Sequence, residues 1–146
     1  MPNIADLRDI DRFLRANLPS PEAPVFYRQW MSATQLLSDK QILASYVRLD
    51  SSDRYTNVAV ATDSLLIDIE AKEDGTTAYY TVQRVADIGK LLLSSTALAG
   101  LPESSGARLV LWLSQRGSEG GSHWIAVTEA EMRDLEAFAT SLAKLL

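Results

Sequence analysis

The sequence predicts an α+β domain that is mainly β: N-terminal helices, about seven antiparallel strands, and one closing C-terminal helix. Three observations predict it. Apolar residues recur at helical spacing at the start of the chain, two-residue alternation dominates from about residue 42 to 127, and a capping box opens an amphipathic stripe at the end.

Ile4, Leu7, Ile10, Phe13 and Leu14 fall on one helical face, with Asn3 as N-cap and Asp6 in the first turn. The polar side balances Arg8, Arg12 and Arg15 against Asp6, Asp9 and Asp11, which favours a helix packed on its own domain over one lying on a membrane. This helix should stop near Asn17-Leu18. Pro19, Pro21 and Pro24 follow within six residues, a stiff, extended spacer that should let the helix dock away from the next element. Ser32-Ala33-Thr34-Gln35 and Ser38-Asp39-Lys40-Gln41 both have capping-box form, so 22–40 should hold one or two short helices. The division implied is a helical extension over 1–41 and a strand-rich domain over 42–146.

Strands are expected at 42–49 and 55–62. Asp63-Ser64 makes a turn, and Leu65, Ile67 and Ile69 then alternate with Leu66, Asp68 and Glu70. Lys72-Glu73-Asp74-Gly75 reads as a hairpin turn, with Thr76–Gln83 as the returning strand. Arg84–Gly100 fits strand or helix. Ala107–Ser114 sends Leu109, Leu111 and Leu113 one way and Val110 and Trp112 the other; at that spacing Trp112 and Trp124 read as core or wall residues. Gly117–Ser122 is a hairpin tip and His123–Val127 the last strand. Thr128-Glu129-Ala130-Glu131 is the capping box, Val127 and Met132 its hydrophobic staple, and Met132, Leu135, Phe138, Leu142 and Leu145 the apolar stripe.

Composition narrows the function. With 146 residues and no cysteine, the chain fits one domain and excludes disulfides, thiolate metal sites and cysteine nucleophiles. The start has neither the basic nor the apolar region of a signal peptide, and no apolar run approaches a membrane span; a soluble, cytoplasmic protein is the expectation. A net charge of −5 argues against nucleic acid as partner.

No catalytic set stands out. The glycines fit no phosphate loop. His123, the single histidine, could act as a base with Asp63 or Glu119, but reads first as a polar residue at the start of a strand after a flexible loop. Ser141-Leu142-Ala143-Lys144 has the SxxK form without its partner motifs. Asp68 and Glu70 share a strand face and could hold a hard cation, but no calcium-loop spacing is present, and a solvated face explains them. The chain therefore reads as a non-enzymatic module with no cofactor, metal or small-molecule substrate. Its partner is a protein or its own copies, and Phe26, Tyr27 and Trp30, just after the proline spacer, are the candidate interface anchors.

A resemblance adds to this. Val58-Ala59-Val60-Ala61-Thr62-Asp63-Ser64-Leu65-Leu66-Ile67 resembles the strand–turn–strand of bacterial pleckstrin-homology (PH) domains, and Tyr80-Thr81-Val82-Gln83-Arg84-Val85-Ala86-Asp87-Ile88 is similar to the segment that follows it. The resemblance covers about 42–146 and implies a PH-like barrel of about seven strands closed by the last helix, with 1–41 as an addition. It implies no single function, since the fold serves lipid, peptide and assembly roles. Phosphoinositide-binding members resemble one another in a basic first hairpin. Here that hairpin carries Asp50 and Asp53 against Arg48 and Arg54, which sum to zero. A lipid-binding module using Arg48 and Arg54 is thus the alternative to a protein-binding one.

Overall fold

The computed structural model describes residues 7–17, 23–50, 55–71, 77–97, 107–117 and 121–146. The described residues gather into two compact units, one up to residue 83 and the other from residue 84 onward.

In the first unit, helix α1 (Leu7–Asn17) buries Ile10 and Leu14 completely. Helix α2 (Ala23–Leu37) is one unbroken helix where the sequence suggests one or two short ones. Phe26, Trp30, Ala33 and Leu37 make its buried stripe, at steps of three and four. Ser32, a capping residue by its pattern, sits inside the helix, with Oγ 3.2 Å from the Tyr80 hydroxyl.

Strands β1 (Ala44–Asp50), β2 (Tyr55–Ala61), β3 (Leu65–Ala71) and β4 (Ala78–Arg84) pair in chain order as one antiparallel sheet. Helix α2 lies against β3. The register sets Val47 opposite Val58, Val58 opposite Ile69 and Val60 opposite Ile67, so these side chains share an apolar face. The other face carries Tyr46, Arg48, Asn57, Ala59 and Asp68, all buried as well. Asn57 Nδ2 donates to Asp68 Oδ1 at 2.6 Å and to the Ile69 carbonyl at 3.1 Å, which supports a carboxylate in an interior that would otherwise penalise it. At the β2–β3 turn, Thr62 Oγ1 accepts from the amides of Ser64 (3.2 Å) and Leu65 (3.0 Å), a side-chain closure of the turn. Strand β4 ends the sheet and is its most exposed member, with Tyr79 and Val82 open to solvent.

In the second unit a 3-10 turn, Val85–Asp87, leads into β5 (Ile88–Ala97), β6 (Ala107–Gln115) and β7 (Gly121–Ala126), an antiparallel sheet in that order. The ambiguous stretch after Arg84 is thus turn and then strand. A Cβ at Gly121 would collide with the Leu113 carbonyl oxygen, so the entry to β7 requires glycine. Helix α3 (Glu129–Ala143) packs on all three strands. Its capping box is complete: Thr128 Oγ1 accepts from the Glu131 amide, and Glu131 Oε1 accepts from the Thr128 and Val127 amides, each near 3 Å. Leu135, Phe138, Ala139 and Leu142 are buried, and the Phe138 ring meets Trp124 edge-on with centroids 5.6 Å apart.

Among the described residues the fold is therefore α+β with seven strands and a C-terminal helix, but the strands form two sheets and do not close into one barrel. The 3-10 turn marks the break between them. No described helix is long and apolar enough to cross a membrane.

Candidate docking surface

Cross-strand register assigns the faces of the three-stranded sheet. Leu93, Leu111 and Trp124 lie in one row, on the side where Trp124 meets α3. One residue along, Leu92, Trp112 and His123 form a row on the opposite face. Leu92 is 48% exposed and Trp112 46%, and His123 is also exposed. The rings of Trp112 and His123 lie 4.9 Å apart at a 33° tilt, so the indole and imidazole are in contact across the two strands.

Charge on this face is one-sided. No strand of the sheet carries an aspartate or glutamate, although the chain as a whole is acidic. Lys90 opposes Ser114 on one side of Trp112, and Arg108 lies on the other side along β6. Arg108 Nε is buried and has no hydrogen-bond partner. The surface is an aromatic and aliphatic centre between two cations.

Trp112 thus corrects its sequence assignment: it is an exposed centre, whereas Trp124 is the core residue. Two-residue alternation separates the two faces of a strand but does not say which one meets solvent.

The aromatic cluster of α2 corrects in the opposite sense. Phe26 and Trp30 are fully buried and offer no surface to a partner. Tyr27 is half-buried, and its hydroxyl donates to the Asp11 backbone carbonyl at 3.1 Å and lies 3.3 Å from Asp11 Oδ1. Trp30 Nε1 donates to Asp11 Oδ1 at 2.9 Å, and Arg15 Nε donates to Oδ2 at 2.9 Å. The Arg15 guanidinium also stacks over the Tyr27 ring at 5.0 Å. The cluster fastens α1 onto α2, so the proline spacer does not hold the helices apart.

Burial pushes the Asp11 carboxyl up, but hydrogen bonds from Arg15 and Trp30, with the Arg15 charge, outweigh it and leave the group below its ordinary value. A depressed carboxyl stabilises the fold above its unfolded-state value, and that stabilisation disappears as pH falls through the folded value. Asp11→Asn should therefore be less stable than wild type at neutral pH. The two should converge as acid takes the pH below the ordinary aspartate value of about 3.9. Urea melts from pH 7 to pH 3 check this; a gap that stays constant across the range would disconnect Asp11 from the acid response.

Arg48 is buried in β1 and cannot reach a lipid headgroup from there; Arg54 lies outside the described residues. Co-sedimentation at physiological salt is expected to be equal for neutral vesicles and vesicles carrying phosphoinositides. Saturable micromolar binding that disappears in Arg54→Ala would put the lipid reading first.

The remaining candidates fall on separate elements. His123 belongs to the exposed row, Asp63 to the β2–β3 turn of the other unit, and Glu119 lies outside the described residues. Asp68 is buried and bonded to Asn57, whereas Glu70 is half-buried and accepts from the Tyr79 hydroxyl at 3.0 Å. Among the described residues no group of three histidines or carboxylates converges as a metal site. Ser141 is half-buried on α3 and Lys144 forms its C-cap. Comparison with protein-family models, curated proteins and solved structures finds no match to this chain.

Proposed function

We propose that this chain is a non-catalytic protein-binding module of PH-like kind. The Leu92–Trp112–His123 row is its docking surface, and an acidic-rimmed segment of another protein its partner. The order of seven antiparallel strands followed by one helix agrees with the PH-like resemblance. The observation that carries the binding role is Trp112, a large aromatic half-open to solvent and in contact with His123. Aromatic side chains of this kind dominate the energetics of protein interfaces. Lys90 and Arg108 on either side, with no carboxylate on the sheet, favour an acidic partner through electrostatic complementarity. They also disfavour a symmetric pair of copies meeting through this face, since a two-fold contact sets like charges against one another.

The test is a photo-crosslinking residue at position 92, expressed in the native cell, with one at exposed Arg133 on α3 as control. A discrete protein adduct at 92 is expected. It should be absent at 133, lost in Trp112→Ala, and acidic around the crosslinked segment. An adduct made only of a second copy, or the same adducts from both positions, overturns the proposal.

A further inference from the structure

Strand β5 is an edge of its sheet, paired with β6 on one side and, among the described residues, with no strand on the other. The outward amides and carbonyls of such an edge are a template for another strand, and proteins blunt them with charge, proline or a bulge. Here the register shift between Ile88 and Lys90, together with the Lys90 charge, protects only the start of the strand. The rest, Leu91-Leu92-Leu93-Ser94-Ser95-Thr96-Ala97, has no charge, proline or glycine.

The middle of this edge is uncovered on both faces. Leu92 is exposed on the outer face, and Leu93, on the α3 face, is still 42% exposed, because α3 packs chiefly on β7 and β6. A ligand lying on one face would cover only one of these leucines, whereas a strand pairing alongside covers both. The edge also complements itself. Antiparallel pairing of two copies about a two-fold axis at Leu92 sets Leu92 against the partner's Leu92, Leu91 against the partner's Leu93 and Lys90 against the partner's Ser94. The two Lys90 positions then lie four residues apart along the strands, about 13 Å, which exceeds the Debye length of about 8 Å. Like charges that would face one another in a contact through the outer face therefore stay separated in a contact through the edge.

We infer that two copies of this chain pair through β5, with Leu91, Leu92 and Leu93 at the seam, and join their three-stranded sheets into one antiparallel sheet. The leucines leave water on both faces of the seam, and the outward backbone groups of each edge find partners in the other. The seam is narrow, so the association is weak and reversible. The Leu92 side chains stay on the outer face between the two Trp112 rows, and the pairing does not rest on the docking role proposed for that face.

The experiment is sedimentation equilibrium of the full chain over a rising concentration series at neutral pH. A reversible monomer–dimer equilibrium is expected. Leu92→Lys and Leu92→Glu each set like charges directly opposite one another, and each should weaken the dimer about tenfold or more. Because residue 92 meets its own counterpart, an equimolar mixture of the two variants should associate again, which no other register predicts. Leu92 is exposed, so both variants should melt as wild type does; if they do not, Leu93→Lys, at the second exposed position, supplies the same loss. Trp112→Ala should leave the dimer intact. Four results would each overturn the inference: a wild type that stays monomeric throughout, a dimer indifferent to charge at both 92 and 93, a Lys–Glu mixture no more associated than either variant alone, or a dimer lost in Trp112→Ala, which would move the contact to the outer face.

Discussion

Phe138→Ala is expected to cost about 3–5 kcal/mol, the range for emptying a buried phenylalanine site. The side chain is almost completely buried, in the middle of the α3 stripe, and its ring meets Trp124 edge-on. Removing the ring leaves a cavity between helix and sheet and takes away the aromatic contact, and neither Leu135 nor Leu142 can fill the space without leaving its own site. Urea melts followed by tryptophan fluorescence give the loss directly. Ala137→Ser, one residue away on the exposed side of the same helix, should change stability by no more than about 0.5 kcal/mol. A Phe138→Ala loss under about 1 kcal/mol would mean that the stripe of α3 does not form the core of its unit.

Trp30→Ala should have an effect of similar size, about 3–5 kcal/mol, in the first unit. Two terms combine here. The indole is fully buried in the α2 stripe, and its N–H satisfies Asp11 across the helix pair. Trp30→Phe separates them: it keeps most of the apolar volume and loses the donor. Asp11 retains Arg15 and Tyr27, so the lost hydrogen bond itself should be worth about 1 kcal/mol. The expected order of stability is wild type, then Trp30→Phe, then Trp30→Ala. Negligible losses in both variants would place Trp30 at the surface and restore the interface role that its sequence position suggests.

Elements specified by neighbouring residues could be read from the sequence. The start of α3 follows from Thr128 and Glu131, three residues apart, and the structure contains both reciprocal hydrogen bonds. The turn at Thr62-Asp63-Ser64 is equally local, and the flanking strands lie within a residue or so of their expected limits. What depends on distant residues could not be read. Trp30 looks like an anchor until Asp11, nineteen positions earlier, supplies the acceptor that lets the indole be buried. Leu91-Leu92-Leu93 has no period, and the structure leaves both Leu92 and Leu93 exposed in β5, so its apolar run does not mark a buried strand. The exposed row gave a partial signal: Leu92, Trp112 and His123 are individually conspicuous, but only the pairing of three strands brings them together. The absence of carboxylates across those strands was visible in the sequence, and acquires meaning once they form one sheet.

Strand β4 carries a cost that appears when the protein is stored or heated. From Ala78 to Gln83 it has no charge, proline or glycine, it includes two tyrosines and a valine, and it ends its sheet with Tyr79 and Val82 uncovered. Six such residues on an open edge form a template for intermolecular cross-β stacking. At neutral pH the net charge of −5 keeps molecules apart, and that repulsion vanishes near the isoelectric point of about 4.8. Warming near that pH should give turbid, thioflavin-positive material, and Thr81→Lys, a charge at an exposed position of the edge, should delay its onset without shifting the melting temperature.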